Sequence, residues 1–162
     1  MGFKTIEFEE MWKDYTGLRN AHYLNSATVG LNLAFEIMKE EYEWFDDDEV
    51  ITTPLTFVST NHAILLAKLN PVFADIDDTL LDTEAVEKLI TSKTRAILYV
   101  GMGGNTGEYI KIVKICEKYG LKLVLDAAHM AGTGESWQPR LGCAVQPVPH
   151  QRRASAVVPA KP

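Results

Sequence analysis

A carboxylate and an imidazole follow a short apolar run in this chain, and together they could do acid–base or ligand-binding chemistry. The run covers residues 121–125, and Asp126 and His129 come just after it. Leucine and valine bounded by Gly120 are typical of a buried parallel strand. Ligands of open parallel sheets bind beyond the carboxyl ends of strands, so Asp126 and His129 are candidate site residues. The alternative is that Asp126 caps the next helix and His129 lies in the core.

Small and hydroxyl residues stand before or at the start of other predicted helices. They occur in residues 25–28, before the first long helix, in residues 53–60 and in residues 101–106. The first N–H groups of a helix are free to bind an anion, and the helix dipole favours phosphate there. Serine and threonine are also common N-caps, so the pattern alone leaves both interpretations open.

Helical and extended segments must alternate to position these residues. The periodicity predicts helices near 6–15, 28–43, 56–68, 82–91 and 107–119, and strands near 50–53, 71–75, 95–100 and 121–125. Asp82 and Thr106 are predicted N-caps, Thr56 opens a third helix, and Gly120 ends the last one. Such alternation is typical of βαβ units, and it predicts an α/β fold, three-layered around a mainly parallel sheet.

Composition restricts the class of protein. The chain has 162 residues, 46% of them hydrophobic, and a net charge of −6, which suits one soluble domain or part of a larger one. The acidic net charge argues against nucleic-acid binding. The sequence has no long apolar run and no signal-peptide pattern, which argues against a membrane protein and for a cytoplasmic location. Cys116 and Cys143 have no metal-ligand spacing, so no metal site is expected.

Proline and basic residues are concentrated after Gly134. Five of the seven prolines lie there, and residues 134–162 carry four basic residues against one acidic residue. Proline removes backbone donors and fixes φ, so this segment is predicted to be a disordered or extended tail. The expected division is therefore residues 1–133 as a domain part and residues 134–162 as a basic, proline-rich tail.

Five motifs in order resemble the DegT/StrS family of sugar aminotransferases, which depend on pyridoxal 5'-phosphate (PLP) and have fold type I. The motifs are Asn-Ser-Ala-Thr at 25–28, Asp-Glu-Val-Ile at 48–51, Pro-Leu-Thr-Phe-Val-Ser-Thr at 54–60, Pro-Val-Phe-Ala-Asp-Ile at 71–76 and Asp-Ala-Ala-His at 126–129. The resemblance covers about residues 20–133 and implies part of the large domain of that fold.

The resemblance also implies a role for each matching position. Ser26, Ala27 and Thr28 would hold the cofactor phosphate, and Phe57 would stack on the pyridine ring. Asp126 would pair with the ring nitrogen, and His129 would lie near the ring hydroxyl. The intact relatives would transfer an amino group from glutamate to a nucleotide-linked keto sugar as homodimers, in a pathway that makes amino sugars.

The lysine that forms the Schiff base in this family has no counterpart here. Lys161 is the only lysine after Lys122, and its Pro-Ala-Lys-Pro context does not match the family's motif. No catalytic residue is therefore assigned, and the chain is expected to be inactive alone. Three explanations remain: a frameshifted or truncated copy, a fragment completed by another chain, or a variant in which His150 replaces the lysine.

Two alternatives from other classes remain. Residues 72–82 resemble the first motif of haloacid-dehalogenase-type phosphatases, in which Asp75 would be the nucleophile and Asp77 the general acid. A non-enzymatic alternative is a catalytically dead partner that binds cofactor without turnover.

Overall fold

Helices and strands alternate along the computed structural model of the chain, which describes residues 2–130, 144–146 and 155–159. The helices are α1 (Phe3–Thr16), α2 (Ala27–Tyr42), α3 (Val58–Leu66), α4 (Thr83–Lys88) and α5 (Tyr109–Tyr119). The strands are β1 (Ala21–Leu24), β2 (Glu49–Thr52), β3 (Asn70–Phe73), β4 (Ile76–Asp77), β5 (Leu80–Leu81), β6 (Thr94–Val100), β7 (Lys122–Asp126), β8 (Ala144–Gln146) and β9 (Ser155–Pro159). None of the helices in these ranges is long and apolar enough to cross a membrane.

Seven strands form one sheet in the order β1-β9-β8-β7-β6-β2-β3. The strands β3, β2, β6 and β7 pair in parallel, and β1 is parallel to β9. Only β8 runs the other way, antiparallel to both β7 and β9. The carboxyl ends of β1, β2, β3, β6 and β7 therefore meet at the same edge of the sheet.

Alternating side chains of the central strands pack into two separate hydrophobic cores, one on each face of the sheet. In β6, Ile97 and Tyr99 pack with α4 and α5 on one face, whereas Ala96 and Leu98 pack with α2 and α3 on the other. Both faces of a parallel sheet must be covered, which explains why these strands are almost entirely apolar. The predicted three-layer α/β architecture is confirmed.

The predicted elements are present, with some differences at their ends. Asp82 caps α4 by accepting a hydrogen bond from the Glu84 N–H at 2.8 Å, and Gly120 ends α5 in the left-handed conformation, both as predicted. The prediction of Thr106 as the N-cap of α5 is wrong, because the helix begins after Glu108. Gly107, at a φ of +43°, separates Thr106 from the helix.

Three strand regions were not predicted. The strand β1 has only four residues, and the hairpin of β4 and β5 has two residues on each side. The strands β8 and β9 lie within the predicted tail, so eight of its residues pair with the sheet. The rest of residues 131–162, with His150 and Lys161, lies outside the described residues, and the division at residue 133 stays a prediction.

An ion pair between buried Asp48 and partly exposed Arg95 joins the start of β2 to β6. The Asp48 carboxylate accepts hydrogen bonds from the Arg95 Nε at 2.8 Å and from the Phe45 N–H at 2.9 Å. Burial alone raises the pKa of Asp48, but these bonds and the charges of Arg95 and Lys93 together hold it below its usual range. The Asp48 carboxylate therefore links the turn before β2 to the start of β6.

Candidate functional site

Several candidate residues lie at the carboxyl edge of the sheet because each is at the end of a strand or in the segment that follows one. Ser26 follows β1, Phe57 follows β2, and Asp126 is the last residue of β7. In βαβ units the helix after a strand begins at this same edge, so α2 and α3 point their N-termini toward it. The edge therefore combines helix N-termini with a carboxylate.

Asp126 lies on the side of the sheet that α2 and α3 cover. Val124 belongs to the core on that side, and residues two apart on a strand share a face. The residue is only 7% exposed, and its carboxylate has two partners. Its Oδ2 accepts a hydrogen bond from the Thr60 hydroxyl at 2.7 Å, and its Oδ1 accepts one from the Ala128 N–H at 3.2 Å.

The surroundings of Asp126 and His129 exclude their alternative interpretation. Residues 128–129 form a turn rather than a helix, so Asp126 caps no helix here. His129 is exposed, so it is not a core residue. Its Nδ1 accepts a hydrogen bond from the Gly103 N–H at 3.2 Å, which leaves Nε2 as the protonated nitrogen of the neutral ring.

The loop between β2 and α3 is held by side-chain hydrogen bonds. Asn61 receives a hydrogen bond from the Thr52 hydroxyl at 3.0 Å and donates one to the Thr53 carbonyl at 3.1 Å. The Thr53 hydroxyl in turn accepts from the Leu55 N–H at 3.1 Å. These bonds tie the first turn of α3 to the end of β2.

Phe57 is the N-cap residue of α3 and does not belong to the core. Phe57 is 75% exposed. The Phe57 carbonyl accepts the Thr60 N–H at 3.0 Å. An aromatic ring is thus exposed one turn away from the residue that contacts Asp126.

Ser26 is the N-cap of α2. Its hydroxyl oxygen accepts a hydrogen bond from the Val29 N–H at 3.3 Å, and its own proton remains available as a donor. The N–H groups of Ala27 and Thr28 have no partner within the helix, as in any first helical turn. All three residues are partly exposed, and α2 packs beside α3 through the core that Phe35 and Ile64 share.

Asp75 and Asp77 lie elsewhere on this edge. They follow β3, which is the terminal strand of the sheet, two strands beyond β6. Both are exposed, and Asp77 belongs to the small hairpin of β4 and β5. The Asp75 carboxylate accepts the N–H of Ile76 at 2.9 Å. Asp75 precedes β4 and Asp77 ends it, so the two acids flank the hairpin that comes before α4.

Sequence reasoning missed two contributors to this edge. Thr60 contacts Asp126 although the two residues are 66 positions apart, and a threonine in a helix carries no signal for such a contact. Tyr99 donates from its hydroxyl to the Thr106 carbonyl at 2.9 Å, which braces the loop after β6. Burial, with a smaller effect of the Glu108 charge, raises the pKa of Tyr99 to about 12, so it remains a donor at neutral pH.

Gly101→Ala is expected to lower the free energy of unfolding by about 1–3 kcal/mol, because the site behind this glycine is already filled. A Cβ there would lie 2.0 Å from the Met130 Sδ, and Met130 is fully buried. Urea unfolding followed by circular dichroism measures the change. Gly2→Ala is the control, since its Cβ meets nothing within 4 Å. Equal midpoints for the two variants would contradict this close packing.

Comparison with protein families gives one match that spans most of the chain. The model described as the DegT/DnrJ/EryC1/StrS aminotransferase family matches residues 1–143.

Similar proteins include two curated transaminases. The chain is 41% identical over 128 residues to dTDP-4-amino-4,6-dideoxy-D-glucose transaminase of Escherichia coli, covering 78% of this chain and 33% of that protein. It is 35% identical over 133 residues to UDP-4-amino-4,6-dideoxy-N-acetyl-beta-L-altrosamine transaminase of Helicobacter pylori, covering 82% and 35%. The chain therefore spans about a third of the length of these relatives.

A solved structure shows the same fold. Helicobacter pylori PseC, an aminotransferase involved in the biosynthesis of pseudoaminic acid, superposes with a TM-score of 0.79 at 34% identity. The match covers 86% of this chain and 37% of that one.

Proposed function

This chain belongs to the DegT/DnrJ/EryC1/StrS aminotransferase family, and from that membership we propose that its carboxyl edge binds PLP as part of a sugar aminotransferase. The observation that carries the proposal is the Asp126 carboxylate, which is almost buried at the end of β7 and oriented by Thr60 and Ala128. The residues around it fit the cofactor, since the same edge offers an acceptor, an exposed aromatic ring and a helix N-terminus.

Each residue has a role that its surroundings support. Asp126 accepts a hydrogen bond from the protonated ring nitrogen, through a lone pair that its two protein partners leave open. Phe57 contributes its exposed ring face to stacking. His129 donates from Nε2 to the ring oxygen, because Nδ1 is occupied by Gly103.

The proposed binding site for the PLP phosphate is the N-terminus of α2. The N–H groups of Ala27 and Thr28 and the hydroxyl proton of Ser26 are donors at a helix N-terminus, where the dipole favours an anion. When bound, PLP supplies an electron sink for the electrons released from a substrate Cα–H bond. The residues of this chain hold the cofactor and keep its nitrogen protonated.

The substrate class follows from the relatives. The two transaminases named above are described by dTDP- and UDP-linked amino sugars, which supports a nucleotide-linked keto sugar as the amino acceptor. Glutamate is the amino donor that the family resemblance implies. Val29, Leu33 and Ile37 form an exposed apolar row along α2, a surface that suits the homodimer proposed for the intact enzyme.

The chain alone is proposed to bind the cofactor but not to catalyse transamination. No lysine among its 162 residues matches the family's covalent attachment site, and Lys161 is the only one after Lys122. The phosphatase alternative is not favoured, because Asp75 and Asp77 lie at the terminal strand of the sheet and the family match covers them.

Titration of the full chain with PLP and with pyridoxal tests the proposed site. We expect PLP to bind at least about tenfold more tightly, since the phosphate gains charge-assisted hydrogen bonds at α2. Equilibrium dialysis with absorbance detection measures both dissociation constants, and inorganic phosphate should compete with PLP only. Equal affinities for the two compounds would contradict a phosphate site at Ser26, Ala27 and Thr28.

A further inference from the structure

Two threonine hydroxyl groups and the carboxylate of Asp126 are linked by successive hydrogen bonds. The Thr60 Oγ1 lies 2.7 Å from the Asp126 Oδ2, and the Thr56 Oγ1 lies 2.9 Å from the Thr60 Oγ1. Thr60 is fully buried and Asp126 nearly so. Both threonines belong to the segment that carries Phe57, whereas Asp126 comes from β7.

The number of available protons determines which group donates in each of these two hydrogen bonds. An ionised carboxylate only accepts hydrogen bonds, so Thr60 must donate its single proton to Asp126. Thr60 then has no proton left for Thr56, and Thr56 must be the donor to Thr60. Hydrogen bonds linked in this way strengthen one another in a buried setting.

The carboxylate is therefore held at both of its oxygens. Thr60 fixes Oδ2 and the Ala128 N–H fixes Oδ1, although the terminal torsion of an aspartate is otherwise broad. We propose that Thr60 is a positioning residue that aims the Asp126 carboxylate at the ring nitrogen of PLP, and that Thr56 reinforces it through Thr60. This inference rests on the proposed function.

A purely structural role for the same bond predicts something different. Thr60 also joins α3 to the end of β7, so its removal could loosen the site for any ligand. An analogue of PLP in which carbon replaces the ring nitrogen separates the two roles. The analogue keeps the phosphate and the ring face but gives Asp126 no N–H to accept.

The test compares Thr60→Val and Thr60→Ser in the full chain. We expect Thr60→Val to weaken PLP binding about tenfold, the size of a lost hydrogen bond to a charged group. Binding of the ring-carbon analogue should change less than about twofold, because its affinity does not depend on the aim of the carboxylate. Thr60→Ser restores the hydroxyl and should restore PLP binding.

Matched variants keep the test decisive. Thr16→Val removes another buried hydroxyl, which donates to the Trp12 carbonyl at 2.7 Å, and it should leave both affinities unchanged. Thr56→Val should weaken PLP binding less than Thr60→Val and in the same selective way. It also replaces Thr60→Val as the decisive variant if thermal melting shows that Thr60→Val does not fold.

The possible outcomes separate the inference from the proposed function. Equal weakening of PLP and analogue by Thr60→Val, or no weakening of either, would overturn the positioning role while PLP binding to the unaltered chain stands. If the unaltered chain binds PLP no more tightly than the analogue, Asp126 does not contact the ring nitrogen. That result would overturn both the proposed site and the inference.

Discussion

Asp126→Asn is expected to weaken PLP binding to the full chain by about 10- to 100-fold, the range of one charge-assisted hydrogen bond. The amide can still accept the proton of Thr60, so the contact between α3 and β7 is retained. The amide is neutral, however, and no longer compensates the positive charge of a protonated ring nitrogen. Equilibrium dialysis of both proteins against PLP gives the ratio of dissociation constants.

Asp75→Asn is the matched control for that prediction. Asp75 is also an aspartate at the carboxyl edge, but it is exposed and follows the terminal strand β3. It should leave PLP binding unchanged. Equal affinities of the Asp126 variant and the unaltered chain for PLP would show that Asp126 does not contact the cofactor. A loss of affinity confined to the Asp75 variant would show that PLP binds near the hairpin instead.

Phe35→Ala is expected to lower the free energy of unfolding by about 3–5 kcal/mol, because it leaves a cavity the size of a phenyl ring. Phe35 is fully buried between α2 and the sheet, in the core that also contains Leu98 and Val124. Small domains are stable by only about 5–15 kcal/mol, so much of this variant should be unfolded at modest urea concentrations. Urea titration followed by circular dichroism measures the midpoint.

Phe45→Ala provides the comparison for the core. Its side chain is 73% exposed, and exposed substitutions usually change stability by no more than about 0.5 kcal/mol. If the two phenylalanine variants unfold at the same urea concentration, α2 does not pack on the sheet as described. The start of α2 would then have no defined place at the carboxyl edge.

The central elements of the fold could be predicted because their apolar patterns are strong. In β6 and β7 nearly every residue is buried, and this requirement of a two-sided sheet is readable as a continuous apolar run. The strand β1 could not be recognised in the same way, since only Ala21 of its four residues is buried. The hairpin of β4 and β5 is too short to show any period.

The candidate site was predictable only in part, for a physical reason. Asp126 is predicted as a site residue because ligands of parallel sheets bind beyond the carboxyl ends of strands, and Ser26 because it precedes a long helix. Thr60 gave no such signal, because its importance lies in a contact with a residue 66 positions away. Such contacts depend on which helix covers which face of the sheet, and the sequence pattern does not state this.

The misplaced cap of α5 has a similar origin. Thr106 has the right residue type, but its carbonyl accepts the hydroxyl of Tyr99 at 2.9 Å and the N–H of Tyr109 at 3.0 Å. These bonds hold Thr106 in the loop, and the positive φ of Gly107 delays the helix. A tertiary contact therefore determines where the helix begins.

A crystal structure of the full chain soaked with PLP tests the central claim most directly, because it shows where the cofactor lies. The account predicts the phosphate at the N–H groups of Ala27 and Thr28, the ring on Phe57 and the ring nitrogen at the Asp126 carboxylate, with no covalent bond to a lysine. Cofactor bound away from Asp126, attached to a surface lysine, or absent at saturating concentration would contradict it.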